Sequence, residues 1–308
     1  MRKLTKQNGT AIVVALFVTA LVATIAVAMI TRLHTDTRRT ELLLNDIQAN
    51  LNAEGEIDWA IEQLIQNWKF HATDKIVDAI PITSPVIAVD GTHLTAVITD
   101  EQAKLNLNNL TDPKYQSVFL RLLQTVSPDT SADQAKAILA AIIDWITPGV
   151  RNSTFDNTYT GLNPPYRAPH QMMTSISELH LVKGVTPKLF AKLAPYITAL
   201  PELTQININT AEIPILMSLV SGMTTTQAKA IIAARKETPF VSVDRLAQFP
   251  GASSVEKSLL TILSQYFLTR TDVVMDDDQR MTIYTLMLRR PQQSTAVIKI
   301  LWQSKGTL

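Results

Sequence analysis

Apolar and polar positions change rhythm several times along this chain. Residues 11–30 are almost wholly apolar, broken only by Thr19 and Thr24, and residues 10–31 carry no charge. Twenty helical residues at about 1.5 Å rise cover about 30 Å, the thickness of a bilayer's hydrocarbon core. That stretch predicts a transmembrane helix. Beyond it Leu44, Ile47 and Leu51, then Ile57, Ile61, Leu64, Ile65 and Trp68, recur at three- and four-residue spacing. This is the stripe of an amphipathic helix running to about Trp68, with Gly55 as a weak point and the stripe packing on the protein's own domain. Pro81 and Pro85 break the pattern, and the β-branched run 92–99 (THLTAVIT) predicts a strand.

From residue 105 to about 263 short helical segments alternate with Pro, Gly, Ser and Thr, and the segment contains an imperfect duplication. Leu105-Asn-Leu-Asn-Asn-Leu110 is echoed by Ile206-Asn-Ile-Asn-Thr210, and residues 134–143 (QAKAILAAII) by 227–236 (QAKAIIAARK). In each unit Asn or Thr can cap the helix that follows. Strand character returns at 266–274, 281–288 and 296–302, separated by the turn-forming runs 275–279 (MDDDQ) and 289–294 (RRPQQS). One strand before the helical block and three after it predict a single antiparallel sheet interrupted by an inserted all-α domain. The fold class is α+β, with the amphipathic helix covering one sheet face.

Charge and composition narrow the chemistry. Lys and Arg total 28 against 27 Asp and Glu, so the 308 residues carry a net charge of +1, without the basic excess of an electrostatic nucleic-acid binder. Cysteine is absent, which removes thiolate catalysis, disulfides and Cys-ligated metals. The five His (His34, His71, His93, His170, His180) are scattered without metalloprotease spacing, and no nucleophile elbow, Walker A loop or dinucleotide-binding turn occurs. The chain does not read as an enzyme.

Arg2, Lys3 and Lys6 precede the apolar run, with no acid among the first nine residues. The positive-inside rule therefore keeps the amino end cytoplasmic and sends the rest across the membrane, which the family resemblance given below implies is the inner membrane. The run is too long for a cleaved secretory signal and lacks a small-residue cleavage site. A short basic leader ending in Gly9, with the apolar helix beginning at the next residue, resembles the class III signal of type IV pilins and pseudopilins. The resemblance implies cleavage by a prepilin peptidase between Gly9 and Thr10. Removing Arg2, Lys3 and Lys6 lowers Lys plus Arg from 28 to 25 against 27 acids, a net charge of −2. Pilin-like subunits carry Glu at the fifth mature position; here it is Val14. A carboxylate in a bilayer is expensive unless paired, so an apolar residue here fits a tip subunit, with none ahead of it to supply a partner, and equally a membrane protein that does not assemble.

Several motifs together make the chain similar to the protein K family of type II secretion systems, the large minor pseudopilins. They are Gly9 with Val14, 101–110 (EQAKLNLNNL), Asn163-Pro-Pro-Tyr166, Ser175-Ile-Ser-Glu-Leu179, 193–198 (LAPYIT), 206–211 (ININTA) and Ile300-Leu-Trp302. The resemblance implies a leader (1–9), a transmembrane helix (10–31), a pilin-like domain in two parts (32–104 and 264–308) and an inserted α-domain of SAM-like or helix-hairpin-helix type (105–263). It implies a place at the pseudopilus tip beside minor pseudopilins I and J, with H as a further partner. Family members can bind calcium after the Asp-Trp of the first helical unit. Here Asp144-Trp145 is followed by no carboxylate until Asp156, so calcium is expected to be absent or weak. The rival is a membrane-anchored DNA-uptake protein, because residues 206–251 resemble a helix-hairpin-helix unit. Its turn, residues 221–226 (SGMTTT), lacks the second glycine of a phosphate-gripping hairpin.

Overall fold

Helix α1 covers Thr10–His71 and passes through Gly55 without interruption. The computed structural model describes residues 10–71, 81–89, 91–149, 153, 155–275, 280–292 and 295–307. Contacts divide the chain into Met1–Glu54 and Gly55–Leu308. The described part of the first unit is helix throughout.

The second unit begins with the end of α1 and builds a six-stranded antiparallel sheet. Its strands are β1 (Ile82–Thr83), β2 (Ile87–Val89), β3 (Thr92–Asp100), β8 (Tyr266–Met275), β9 (Arg280–Gln292) and β10 (Thr295–Lys305). The order is β1-β3-β8-β9-β10, with β2 also paired to β3. β1 lies between the two prolines that suggested only a break, and β2 follows the second: an edge strand needs one bonded side, so Pro81 and Pro85 are tolerated beside it. Ile57, Ala60 and Leu64, spaced for one helix face, pack against Ile98, Phe267 and Met287. The opposite face is apolar where Tyr266, Leu268, Leu286 and Leu288 meet Leu200 from the insert. Two expectations need correction. Leu44, Ile47 and Leu51 are exposed rather than packed on the protein's own domain. Residues 289–292 are strand rather than turn; the rest of that expected turn, 293–294, and most of the other, 276–279, lie outside the described residues.

The insert lies between β3 and β8, which pair directly with Asp100 opposite Phe267. The chain therefore leaves and re-enters the sheet at adjacent points. Inside, α2 (Pro113–Val126), α3 (Ala132–Ile146), α4 (Asp156–Thr160), α5 (Pro187–Leu193), α6 (Ile213–Leu219) and α7 (Thr225–Glu237) surround one apolar core. Four short strands make the insert less than purely helical. β4 (Leu105–Asn106) runs parallel to β5 (Ile197–Thr198), and β6 (Ile206–Asn207) to β7 (Leu260–Thr261). Each ladder closes one copy of the duplication, first residues against last.

Candidate functional site

The amino-terminal surface is the most apolar exposed part of the described chain. Gly9 lies outside the described residues, and Thr10 is the first residue of α1. Ile12, Val13, Val14, Leu16, Phe17 and their successors to Ile30 all face outward. Their polar companions are internally satisfied. Thr19 donates to the Leu16 carbonyl at 2.9 Å, Thr24 to Ala20 at 2.6 Å and Thr31 to Val27 at 2.9 Å, so none presents a bare hydroxyl to a hydrocarbon medium. Exposed apolar side chains continue at Leu33, Leu42, Leu43, Leu44, Ile47 and Leu51. Residues 11–30 cover about 30 Å of helix, a bilayer's hydrocarbon core, and the polar residues 34–41 separate them from the second apolar patch at Leu42 to Leu51. This one helix fits a single-pass membrane anchor whose apolar surface outruns the membrane.

A second constellation sits where the insert joins the sheet. Asp100, buried at the end of β3, accepts on Oδ1 from the Gln102 N–H (2.8 Å). On Oδ2 it accepts from Asn207 Nδ2 (3.1 Å), Ser264 Oγ (2.6 Å) and the Thr210 hydroxyl. Gln102 donates to the Gln205 carbonyl (3.1 Å) and accepts from the Gln265 N–H (2.6 Å). Glu101 accepts from Thr198 (2.7 Å) and pairs with Lys104 (2.6 Å). One short stretch thus holds the end of the first repeat, the start of the second and the return to the sheet. Arg289 completes the joint from β9. It donates to Asn67 Oδ1 (2.8 Å) and the Ser264 carbonyl (2.9 Å), and its guanidinium lies 4.5 Å from the Phe267 ring centre and 5.4 Å from that of Trp68. Sequence inspection singled out neither residue. Asp100 directly precedes a quoted motif, the one signal that pointed to it; Arg289 stands in an Arg-Arg-Pro run that reads as turn.

The asparagines of the duplication do equivalent work. Asn108 donates to and accepts from the backbone of Met173 (3.0 and 2.8 Å), and Asn209 does the same to Phe240 (3.0 and 2.8 Å). Each amide stands in for a missing ladder rung. Matching capping boxes, Ser131 with Gln134 and Thr224 with Gln227, start α3 and α7. Other motifs meet in one aromatic cluster: Trp145 lies edge-on to Tyr159 and Tyr166 and donates to Glu178 at 3.0 Å.

Two ligand chemistries can be tested against this geometry. Calcium takes six to eight oxygens. The described residues after Asp144-Trp145 offer His170 instead, with Nδ1 2.9 Å from the Asp144 carbonyl oxygen and Nε2 3.3 Å from Asp156 Oδ1. Burial alone would lower the imidazole's pKa, but the Asp144 carbonyl and the Asp156 carboxylate outweigh it and the net shift is upward. The Asp156 carboxylate is thus taken up by an imidazole, and no group of three acidic, His or Cys side chains suited to a metal occurs among the described residues, which leave out 150–152 and 154 of this loop. For DNA, the 221–226 segment runs into the first turn of α7, whose capping box already uses the Gln227 N–H. Arg235 points inward to the Ile208 carbonyl at 2.6 Å, and burial lowers its pKa to about 10. That cation is committed to the fold rather than to phosphate.

Comparisons with known proteins agree with this architecture. Two family models described as "Type II secretion system (T2SS), protein K" match residues 103–202 and 206–268, one for each repeat. The type II secretion system protein K of Pectobacterium carotovorum is 30% identical over 297 residues, covering 88% of this chain and 90% of that protein. That of Pseudomonas aeruginosa is 27% identical over 302 residues, covering 91% and 88%. A crystal structure of a GspK-GspI-GspJ complex from enterotoxigenic Escherichia coli holds a chain of the same fold. Its TM-score is 0.72 at 23% identity, over 88% of this chain and 100% of that one. With family models matching both repeats and a relative 30% identical over most of both proteins, the chain belongs to the type II secretion system protein K family.

Proposed function

We propose that this chain is the minor pseudopilin at the tip of a type II secretion pseudopilus, where it scaffolds assembly with subunits of the I and J types for export of folded proteins across the outer membrane. One observation carries the reading: beyond the stretch a bilayer can cover, and beyond the polar residues 34–41, α1 exposes a second apolar patch at Leu42, Leu43, Leu44, Ile47 and Leu51. That patch needs protein neighbours, and other apolar helices laid alongside supply them. Val14, where a carboxylate would need a partner ahead of it, suits a subunit with nothing above. The role is mechanical rather than enzymatic: the membrane helix docks laterally, and the insert, clamped through Asp100 and Arg289, blocks further addition. In this reading a prepilin peptidase cuts after Gly9, the amino end stays cytoplasmic and the bulk is periplasmic.

Co-expression of the full chain with I- and J-type subunits, followed by purification from membranes, tests it. A stoichiometric complex lost on Leu44→Glu with Ile47→Glu is expected. No complex with the wild-type chain, or one indifferent to those changes, refutes the packing role. Mass spectrometry should find Thr10 at the amino terminus, and Gly9→Leu should keep the leader. Val14→Glu should give no gain in assembly.

A further inference from the structure

A cleft of about 430 Å³ opens in the insert between the turn after α2, the first turns of α3, Phe155 and the segment leading into α5. Its floor is apolar. Ile138 and Leu189 are buried beneath it and the exposed Ala137 faces it. Gly184 makes the floor possible. Its φ is +88° and its chain crosses α3 so closely that an added Cβ would lie 3.0 Å from Ile138 Cγ1.

Three lysines line this cleft, Lys183, Lys188 and Lys192, with Asp129 the one acid among the lining residues. Their charge is poorly compensated. Lys183 donates to the Thr158 hydroxyl at 3.3 Å and lies 5.7 Å from the Phe155 ring centre. Lys192 donates to the Ser127 hydroxyl at 3.3 Å, and its nearest carboxylate, Asp129, stands 3.9 Å away on a side chain 88% exposed. Two lysines elsewhere show what close pairing looks like: Lys104 meets Glu101 at 2.6 Å and Lys257 meets Asp244 at 2.5 Å. In a chain whose net charge is +1, a surplus of two cations at one concave site is a matter of placement.

We infer that this cleft binds an acidic, partly apolar peptide segment of a partner protein, its carboxylates meeting Lys183, Lys188 and Lys192 and an aliphatic or aromatic side chain resting on Ala137, Ile138 and Leu189. Point-charge ammoniums around an apolar floor suit carboxylates spaced along a peptide. A phosphodiester strand would leave that floor unused. The inference does not depend on where the subunit sits in a fibre.

The test uses the full chain in nanodiscs of zwitterionic lipid and a fluorescein-labelled peptide of alternating glutamate and leucine, read by anisotropy. Saturable binding that weakens as salt is raised is expected. It should fall about tenfold or more in Lys183→Glu/Lys188→Glu/Lys192→Glu, and also in Ala137→Trp, which fills the cleft from an exposed helical position. Reversing Lys229, Lys299 and Arg280, exposed cations outside the cleft lining, should leave it within about twofold. Circular dichroism melting curves check that each variant is folded. Absence of saturable binding, equal loss in the control variant, or an oligonucleotide of matched charge displacing the peptide at the same concentration would overturn the proposal.

Discussion

Asp100→Asn offers the sharpest test of how the insert is held. The side chain keeps its shape, but two acceptor oxygens become one acceptor and one donor pair. With the amide oxygen toward Asn207, Ser264 and Thr210, the new NH2 confronts the Gln102 N–H that was 2.8 Å from the carboxylate. Turned over, the NH2 confronts the Asn207 amide at 3.1 Å, while the hydroxyls of Ser264 and Thr210 can rotate to accept. Either way one charge-assisted bond is lost, about 1.5–3 kcal/mol, and one buried donor is stranded, about 1–3 kcal/mol. A loss of about 3 kcal/mol in a unit of this size lowers the melting temperature by about 6–12 °C. The assay is calorimetric melting of the full chain in nanodiscs, with Ser264→Ala as the second edge of a double-mutant cycle. Because Ser264 donates to the altered carboxylate, the two losses should fall short of additive by about 1 kcal/mol. A shift under about 2 °C, or strict additivity, would mean that Asp100 does not join the insert to the sheet.

Gly251 has φ +82°, and a Cβ there would lie 2.6 Å from Gln227 Nε2 in the capping box of α7. Gly251→Ala should therefore cost about 1–3 kcal/mol by denaturant unfolding, and an unchanged midpoint would refute the crowding. The His170 pKa is raised by the fold, so its stabilising contribution is fully present below the ordinary value of about 6.5 and disappears as pH climbs through the folded-state value. Asp156→Asn should then lower the melting temperature more at about pH 5.5 than at pH 8.5; an equal or reversed difference would remove the imidazolium–carboxylate pair from the account. Burial raises the Glu56 pKa, with the Ser84 hydroxyl opposing it, so the folded state is penalised once the group ionises. Glu56→Gln should raise the melting temperature, by more at pH 8 than at pH 5, and a gain confined to acid would contradict the sign.

The parts of the fold legible in the sequence are those written in strong periodicity. The 10–68 helix, the strand at 92–99 and the three strands after 265 follow directly from spacing and β-branching, and the duplicated asparagine motifs mark the two copies of the insert. What the sequence concealed are placements decided by partners far along the chain. β1 and β2 are short edge strands beside prolines, visible only once β3 is there to receive Ile82 and Ile87 opposite Ile98 and Leu94. Arg289 reads as solvent-facing turn because its neighbours are Arg290 and Pro291. Its burial is decided by Phe267, Trp68 and three acceptors from elsewhere.

The functional surfaces divide along the same line. Periodicity gives the whole stripe on α1 but not its division, because Leu44 and Leu64 look alike in spacing and differ only in whether a sheet lies beneath them. That division carries the functional argument. From Ile57 onward the stripe is used up inside the protein, while the residues before it keep an apolar surface that water disfavours and a bilayer covers only in part. A helix of this kind leaves its own domain complete and its membrane-proximal half unfinished. In the proposed role it is this partly satisfied helix that would make the chain a subunit.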